Sequence, residues 1–400
     1  MKITAARVIV CAPGRNFVTL KIETDQGLHG IGDATLNGRE MSVVAYLQDH
    51  VLPCLIGRDA HAVEDIWQYL YRGAYWRRGP VTMAAIAAVD VALWDLKAKA
   101  AALPLYQLLG GASRTRMLCY PHASGADLPE LLERIAALRA QGHRAARVQC
   151  GIPGLGAVYG VRGGGLNQPA GMPAEQEWDI GAYMRFAPHM LAEVRDAVGE
   201  TFELLHDTHH RIPPIDAARL AREVEPLHLF WLEDLVPAEN PEVYRLIRAA
   251  STTRLALGEV FNTIHDCREV IQQQLIDFIR ASPLQAGGIT HIRRIADFAA
   301  LWQIRTACHG APDMSPVTFG ASLHFDRWVP NFGIQEYAGH PPETAEVFRS
   351  DWSYDGDGHL LSGEAPGHGV DIDEVAAARF PYRRSYLATA RLADGTAWNY

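Results

Sequence analysis

The chain has 400 residues, 48% of them hydrophobic and 21% charged, with a formal net charge of −9 at pH 7. This is the make-up of an ordinary globular protein, long enough for two domains or for one barrel with an accessory lobe. The negative balance disfavours nucleic acid and anionic membrane as partners, since both need a basic face, but leaves room for a small anion held by a local cluster of Arg, His or metal.

The N-terminal "MKITAARVIVCAPG" has an apolar run too short for a signal-peptide core and no small-residue cleavage pattern. Residues 2–34 alternate apolar and polar around Pro-Gly and Asp-Gln-Gly turns, which predicts an antiparallel meander. "MSVVAYLQDHVLPCLIG" and "HAVEDIWQYLYRGAYW" follow with helical spacing. "TMAAIAAVDVALWDLKAKAAAL" predicts a helix apolar on most sides, stopped before Pro104. Cys11, Cys54, Cys119, Cys150, Cys267 and Cys308 are scattered with no C-x-x-C pair, which points to reduced thiols and a cytoplasmic setting. No apolar stretch is long enough to cross a bilayer.

From about residue 118 short β-like runs alternate with helical segments, as in βα units around a parallel sheet. The runs end at "LCYPH", "AARVQ", "FELLHD", "LFWLED", "LALGEV", "IDFIR", "IRTACHG" and "FGIQEY", separated by helices such as "LPELLERIAALRAQG" and "GITHIRRIADFAALW". Eight strands are the number that closes a (β/α)₈ barrel. Their last residues supply His122, Arg147, Asp207, Glu233, Glu259, Arg280, His309 and Glu336. Polar loops beginning after strands would explain two or three ionisable endings, but not eight. Strand ends converge on one barrel mouth, where enzymes of this architecture do their chemistry.

Asp207, Glu233 and Glu259 are evenly spaced, since 233 − 207 and 259 − 233 are both 26, about one βα unit. Three anions at adjacent strand tips repel one another unless a cation neutralises them, and an all-oxygen set favours Mg²⁺. The run "FELLHDTHHR" therefore reads as one metal carboxylate and its surroundings rather than as a zinc site; buried salt bridges with strand arginines are the competing reading for the three acids. A metal at a barrel mouth can hold a substrate carboxylate and stabilise the enediolate left when the adjacent carbon loses its proton. His209, two residues past Asp207, is the natural acid for a departing hydroxyl, while His206 should face the helices by strand alternation and His210 is read as structural. A glycine-loaded stretch follows Arg147, without phosphate-loop spacing, and reads as a lid. Its Tyr159 reads either as an ordinary lid tyrosine or as a phenol whose acidity a nearby guanidinium raises.

The chain closely resembles the D-mannonate dehydratases of the enolase superfamily over essentially its whole length. The resemblance rests on "PGRNFVTLKIETDQG", "GIGDATLNGRE", "YRGAYWRRGPVTMAAIAAVD", "HDTHHR", "HLFWLEDLVPAEN", "GEVFNTI", "CHGAPDMSPV", "NFGIQEY" and "DGTAWNY". It implies a modified (β/α)₇β barrel over 118–359. An α+β capping domain of residues 1–117, joined by the C-terminal segment 360–400, would complete a subunit of a tetramer or octamer. It implies one Mg²⁺ per subunit on Asp207, Glu233 and Glu259, Tyr159 assisted by Arg147 as the base, and His209 as the acid. Substrate contacts would fall on Asn37, His122, Arg280, His309, Asp313, Glu336 and Trp398, with Ala311 at a position tied to specificity.

The reaction so implied is dehydration of D-mannonate to 2-keto-3-deoxy-D-gluconate. Dehydration of another acid sugar, D-gluconate in particular, is the nearer alternative, and a sugar-acid-binding homologue with little turnover the farther one. The sequence departs from the family pattern at Thr208, at Pro121 and Ser124 in "YPHASG", and in a lid that looks shortened after Tyr159.

Overall fold

The computed structural model describes residues 1–155 and 175–399, with the backbone of 168–169. The alternating N-terminal stretch forms three antiparallel strands, Ile3–Cys11, Phe17–Thr24 and His29–Asp33. Across this sheet lies the Ala-rich helix Pro80–Ala100, buried along most of its length and ended ahead of Pro104, whose ring cannot continue a helix. A helix apolar on most sides needs two partners: the meander covers one and the barrel helix Ile289–Leu301 another. The close approach to the meander is possible because Gly32 has no side chain. A Cβ there would sit 1.9 Å from the Ala88 carbonyl oxygen.

Seven parallel strands run in the order 305–306, 278–279, 255–257, 231–233, 203–207, 145–150 and 122–125. The last of these continues backwards through Pro121 into Met117–Tyr120, which pairs in parallel with Gln335–Glu336; a bridge from Thr306 to Phe332 joins the two ends of the ring. Pro121 breaks the first stave because it has no N–H to give the ladder, although its carbonyl still accepts from Arg147 N at 3.0 Å. Helices follow staves one to seven, at 128–140, 180–198, 214–223, 244–250, 264–272, 289–301 and 316–328. Directly after the eighth stave the described residues form only the four-residue helix Thr344–Val347 in place of a full barrel helix, so the architecture is the (β/α)₇β variant with a capping lobe, as expected. No helix among the described residues is long and apolar enough to cross a membrane.

The barrel interior explains why the strand endings converge. Below the mouth, Tyr120, Ala145, Leu205, Trp231, Ala256, Phe278, Ala307 and Ile334 form one apolar plug, a residue from each stave. Side chains alternate along a strand, so the residue two further on faces the same interior, one layer up. That rule yields His122, Arg147, Asp207, Glu233, Arg280, His309 and Glu336 directly. The fifth stave is the exception: two beyond Ala256 is Gly258, with φ of 130°. This conformation is open only to glycine, and it passes the inward position to Glu259. Several strands end sooner than their sequences suggested, at Leu257, Ile279 and Thr306. The backbone nevertheless stays paired above them, with Arg280 N on Leu257 O (2.9 Å) and His309 N on Arg280 O (3.2 Å).

The C-terminal chain returns to both parts of the molecule. His359–Leu361 pairs antiparallel with the first barrel stave. Farther on, Glu374 forms ion pairs with Arg7 and Lys21 of the meander at 2.7 Å.

Candidate active site

At the barrel mouth, carboxylate oxygens of Asp207, Glu233 and Glu259 all lie within 4.8 Å of one another. Parallel pairing sets Glu233 directly beside Asp207, and the sequence interval of one βα unit becomes adjacency in space. Burial, and then the neighbouring acids, push the Glu259 carboxyl well above its ordinary range. Burial lifts Glu233 to about 8 even though Arg280 opposes it. Asp207 stays below the ordinary range: burial works against its charge, but His209 at 2.9 Å and Arg147 at 3.0 Å prevail. Three convergent oxygen donors, two of them reluctant to ionise together, form a set that a hard divalent cation would satisfy.

Cations interleave the acids around the rim. Arg280, fully buried, joins Glu233 through Nε and Glu336 through Nη2 (2.6 Å), and its Nη2 is 3.9 Å from Glu259. It lies over the rings of Trp231 and Tyr120, at 5.4 and 5.8 Å, so the apolar plug supports the charge layer above it. Glu336 binds His122 Nε2 (2.6 Å), whose Nδ1 meets Arg147 Nη2 (3.1 Å). His309 Nε2 stands 3.6 Å from Glu259. The rim salt bridges read as the competing explanation for the acids thus exist, but they accompany the triad rather than disperse it.

The stretch that follows Asp207 folds back sharply. His209 and His210 take left-handed backbone angles, φ 48° and 59°, which cost non-glycine residues on the order of 1 kcal/mol or more each. Asp207 Oδ1 accepts from His209 N (2.8 Å), and Thr208 gives its N–H to Glu233 O (3.1 Å) and its hydroxyl to Asp234 O (2.8 Å). The turn thereby carries His209 back over its own metal-type carboxylate. Burial lowers the His209 imidazole to about 3, although Asp207 pulls the other way. His206 points outward as expected, to Tyr183 OH (2.6 Å) on a barrel helix, and burial lowers it to about 4. His210 pairs with Asp234 at 3.2 Å; burial opposes its charge, yet Asp234 carries it up to about 9.

Above this layer opens a cavity of about 630 Å³. Asn37, His122, Arg147, His209, Glu259, His309, Ala311 and Asp313, all singled out from the sequence, line it. Asp207, Glu233, Arg280 and Glu336 form the layer beneath. The Asp313 Oδ1 is buried with no hydrogen-bond partner among the described residues, an acceptor still to be satisfied. Trp398 is displaced from its expected place on the wall: its indole N–H donates to Arg211 O (2.8 Å), beside the Trp178 indole on the same oxygen (3.2 Å). The neighbouring Asn399 lines the cavity instead. Tyr159 lies outside the described residues. The cavity also takes in Arg15, Asn262 and Gln285, which the sequence reading did not flag. Asn262 follows the fifth stave in a βα loop, a position that marks it in retrospect, whereas Arg15 and Gln285 carry no local signal.

Comparison with known proteins agrees with this architecture. Residues 9–110 match the mandelate racemase / muconate lactonizing enzyme N-terminal domain, and residues 130–376 the enolase C-terminal domain-like family. The chain is 59% identical to a D-mannonate dehydratase of Novosphingobium aromaticivorans over 403 residues, covering 100% of each chain. It is also 59% identical, again over 100% of each chain, to a D-galactonate dehydratase family member of Halomonas elongata. Among solved structures, an enolase from Pantoea ananatis with bound D-gluconate and Mg superimposes with a TM-score of 0.92 at 37% identity, covering 100% of this chain and 99% of the other. The chain belongs to the mandelate racemase / muconate lactonizing enzyme family of enolase-like proteins.

Proposed function

We propose that the chain is a Mg²⁺-dependent hydro-lyase of acid sugars, and that its substrate is D-mannonate, converted to 2-keto-3-deoxy-D-gluconate and water. The observation that carries the reading is the convergence of Asp207, Glu233 and Glu259 under a cavity large enough for a six-carbon acid. Relatives at 59%, 59% and 56% identity bear the name D-mannonate dehydratase.

A divalent cation on the three carboxylates would neutralise the substrate carboxylate and make the adjacent C2 proton easier to remove. The protein's own groups do the rest. Tyr159 takes the C2 proton, with the Arg147 guanidinium favouring its phenolate form. His209 gives a proton to the C3 hydroxyl, which is a poor leaving group without one. Buried as it is, neutral His209 must first acquire that proton, and its contact with Asp207 supplies the electrostatic support for holding it. Asn37 from the lobe, with His122, His309 and Asp313 from the barrel, orients the hydroxyls and carboxylate, while Arg280 and Glu336 in the layer beneath hold Glu233 and His122 in place, and Ala311 shapes the wall beside Asp313.

The D-gluconate bound in the Pantoea ananatis structure favours a second reading, dehydration of the C2 epimer by the same groups. A panel of acid sugars incubated with the enzyme and Mg²⁺, read out as 2-keto-3-deoxy product, separates the two. Turnover of D-mannonate well above D-gluconate is expected; the reverse order would transfer the assignment, and no product from any acid sugar would refute it.

A further inference from the structure

Asp33 closes the last strand of the meander and is almost fully buried, yet it belongs to no catalytic layer. Its two carboxylate oxygens serve different parts of the molecule. Oδ1 accepts from Thr35 N (2.9 Å) and Thr35 Oγ1 (2.6 Å). Oδ2 accepts from Ser315 N (2.7 Å) and Thr318 Oγ1 (2.9 Å), at a sequence distance of 282 residues for Ser315. Thr35 immediately precedes Leu36 and Asn37, and Ser315 follows Ala311, Pro312 and Asp313 by two residues; all five of these line the cavity. Ser315 also caps the helix Pro316–Trp328, where a nearby carboxylate is favoured by the unpaired N–H groups.

We propose that Asp33 is a positioning residue that couples the capping-lobe loop 35–37 to the barrel loop 311–315, so that the two walls of the cavity are set by one group. The proposal rests on the reading of this cavity as the acid-sugar site.

The chemistry of the carboxylate carries it. Four donors occupy Asp33, and it does not line the cavity, so it has no part in proton transfer to substrate. Two of those donors are backbone N–H groups fixed on opposite oxygens. An amide in its place would turn its NH₂ toward one of them whichever way it flipped, because only one of its two heads accepts. A rigid planar group gripping both loops passes a displacement of either to the other, while charge-assisted bonds make each grip stronger than a neutral one. The two loops carry groups on facing walls of the cavity, so loosening them together weakens substrate capture, an effect on KM rather than on kcat.

The test uses the full-length protein with Mg²⁺ and reads backbone hydrogen–deuterium exchange in variants that loosen one side only. Thr318→Val removes a bond to Asp33 on the barrel side; Thr35→Val removes one on the lobe side together with the acceptor of Val18 N (2.9 Å), both losses lying within the lobe. Coupling predicts that Thr318→Val speeds exchange at Leu36 and Asn37, and that Thr35→Val speeds exchange at Ala311, Asp313 and Met314, each by about fivefold or more. Acceleration confined to the mutated side would show two independent anchors and overturn the proposal. Asp33→Asn adds a kinetic readout: KM for the acid sugar should rise about tenfold with kcat little changed. A loss of kcat and thermal stability at constant KM would reduce Asp33 to an interface pin. Should the wild-type enzyme dehydrate no acid sugar, the functional reading fails while exchange still decides the coupling; should Asp33→Asn not fold, the two threonine variants decide it.

Discussion

The indole N–H of Trp231 donates to Glu233 Oε2 at 3.0 Å, two residues along the same barrel strand. Arg280 Nε takes the other Glu233 oxygen, so this carboxylate is held from both sides before any ion arrives. Groups that orient a metal ligand typically contribute 10- to 100-fold to affinity, roughly. Trp231→Phe should therefore weaken divalent-ion binding by about tenfold, measured by Mn²⁺ titration under electron paramagnetic resonance. Unchanged affinity in a folded variant would show that the indole serves only the apolar plug.

His209→Asn removes the proposed acid while leaving three carboxylates in place. Turnover should fall by about 10²- to 10⁴-fold, the usual contribution of a positioned acid. Mn²⁺ binding should persist. Full activity in this variant would take His209 out of the mechanism.

Tyr159→Phe should stop exchange of the substrate C2 proton with solvent deuterium, as seen by proton NMR of recovered substrate. His209→Asn, in contrast, should leave that exchange in place, since proton removal precedes loss of the hydroxyl. Exchange at wild-type rate in Tyr159→Phe would locate the base elsewhere.

Asp90 joins the capping lobe to the barrel by accepting Thr290 N at 3.0 Å. Burial pushes its carboxyl up to about 7, against which the bonds from Thr290 and Ile289 work only partly. A raised folded-state value means that this group's contribution to stability is complete below about pH 4 and is lost progressively as pH rises through about 7. The loss amounts to at most about 4 kcal/mol. Asp90→Asn should flatten that part of the pH–stability curve and be the more stable protein at pH 8, by thermal melts across pH 4 to 8. A slope identical to wild type would show that the carboxyl titrates normally.

Much of the site was legible because barrel strands repeat with a period of two and βα units with a nearly constant length. The 26-residue intervals among Asp207, Glu233 and Glu259 translate into neighbouring staves, and the outward turn of His206 follows from its place beside Asp207. The apolar helix 80–100 announced that it would be covered on two sides. What escaped were the features fixed by partners far along the chain. Nothing local to Trp398 indicates that its indole will be drawn to Arg211 O, and nothing near Arg15 or Gln285 marks them as cavity walls.

The sequence by itself determined the alternation of strand and helix, the polar crown of the strand ends and the residue types of the metal-type triad, because these depend on local periodicity and composition. The tertiary structure alone decided that Glu336 closes the ring against the first stave, that Gly258 hands the inward position to Glu259, and that Asp33 grips two loops at once. Those relationships arise from backbone register and hydrogen bonds between segments up to hundreds of residues apart, and such bonds leave no periodic trace in the chain that makes them.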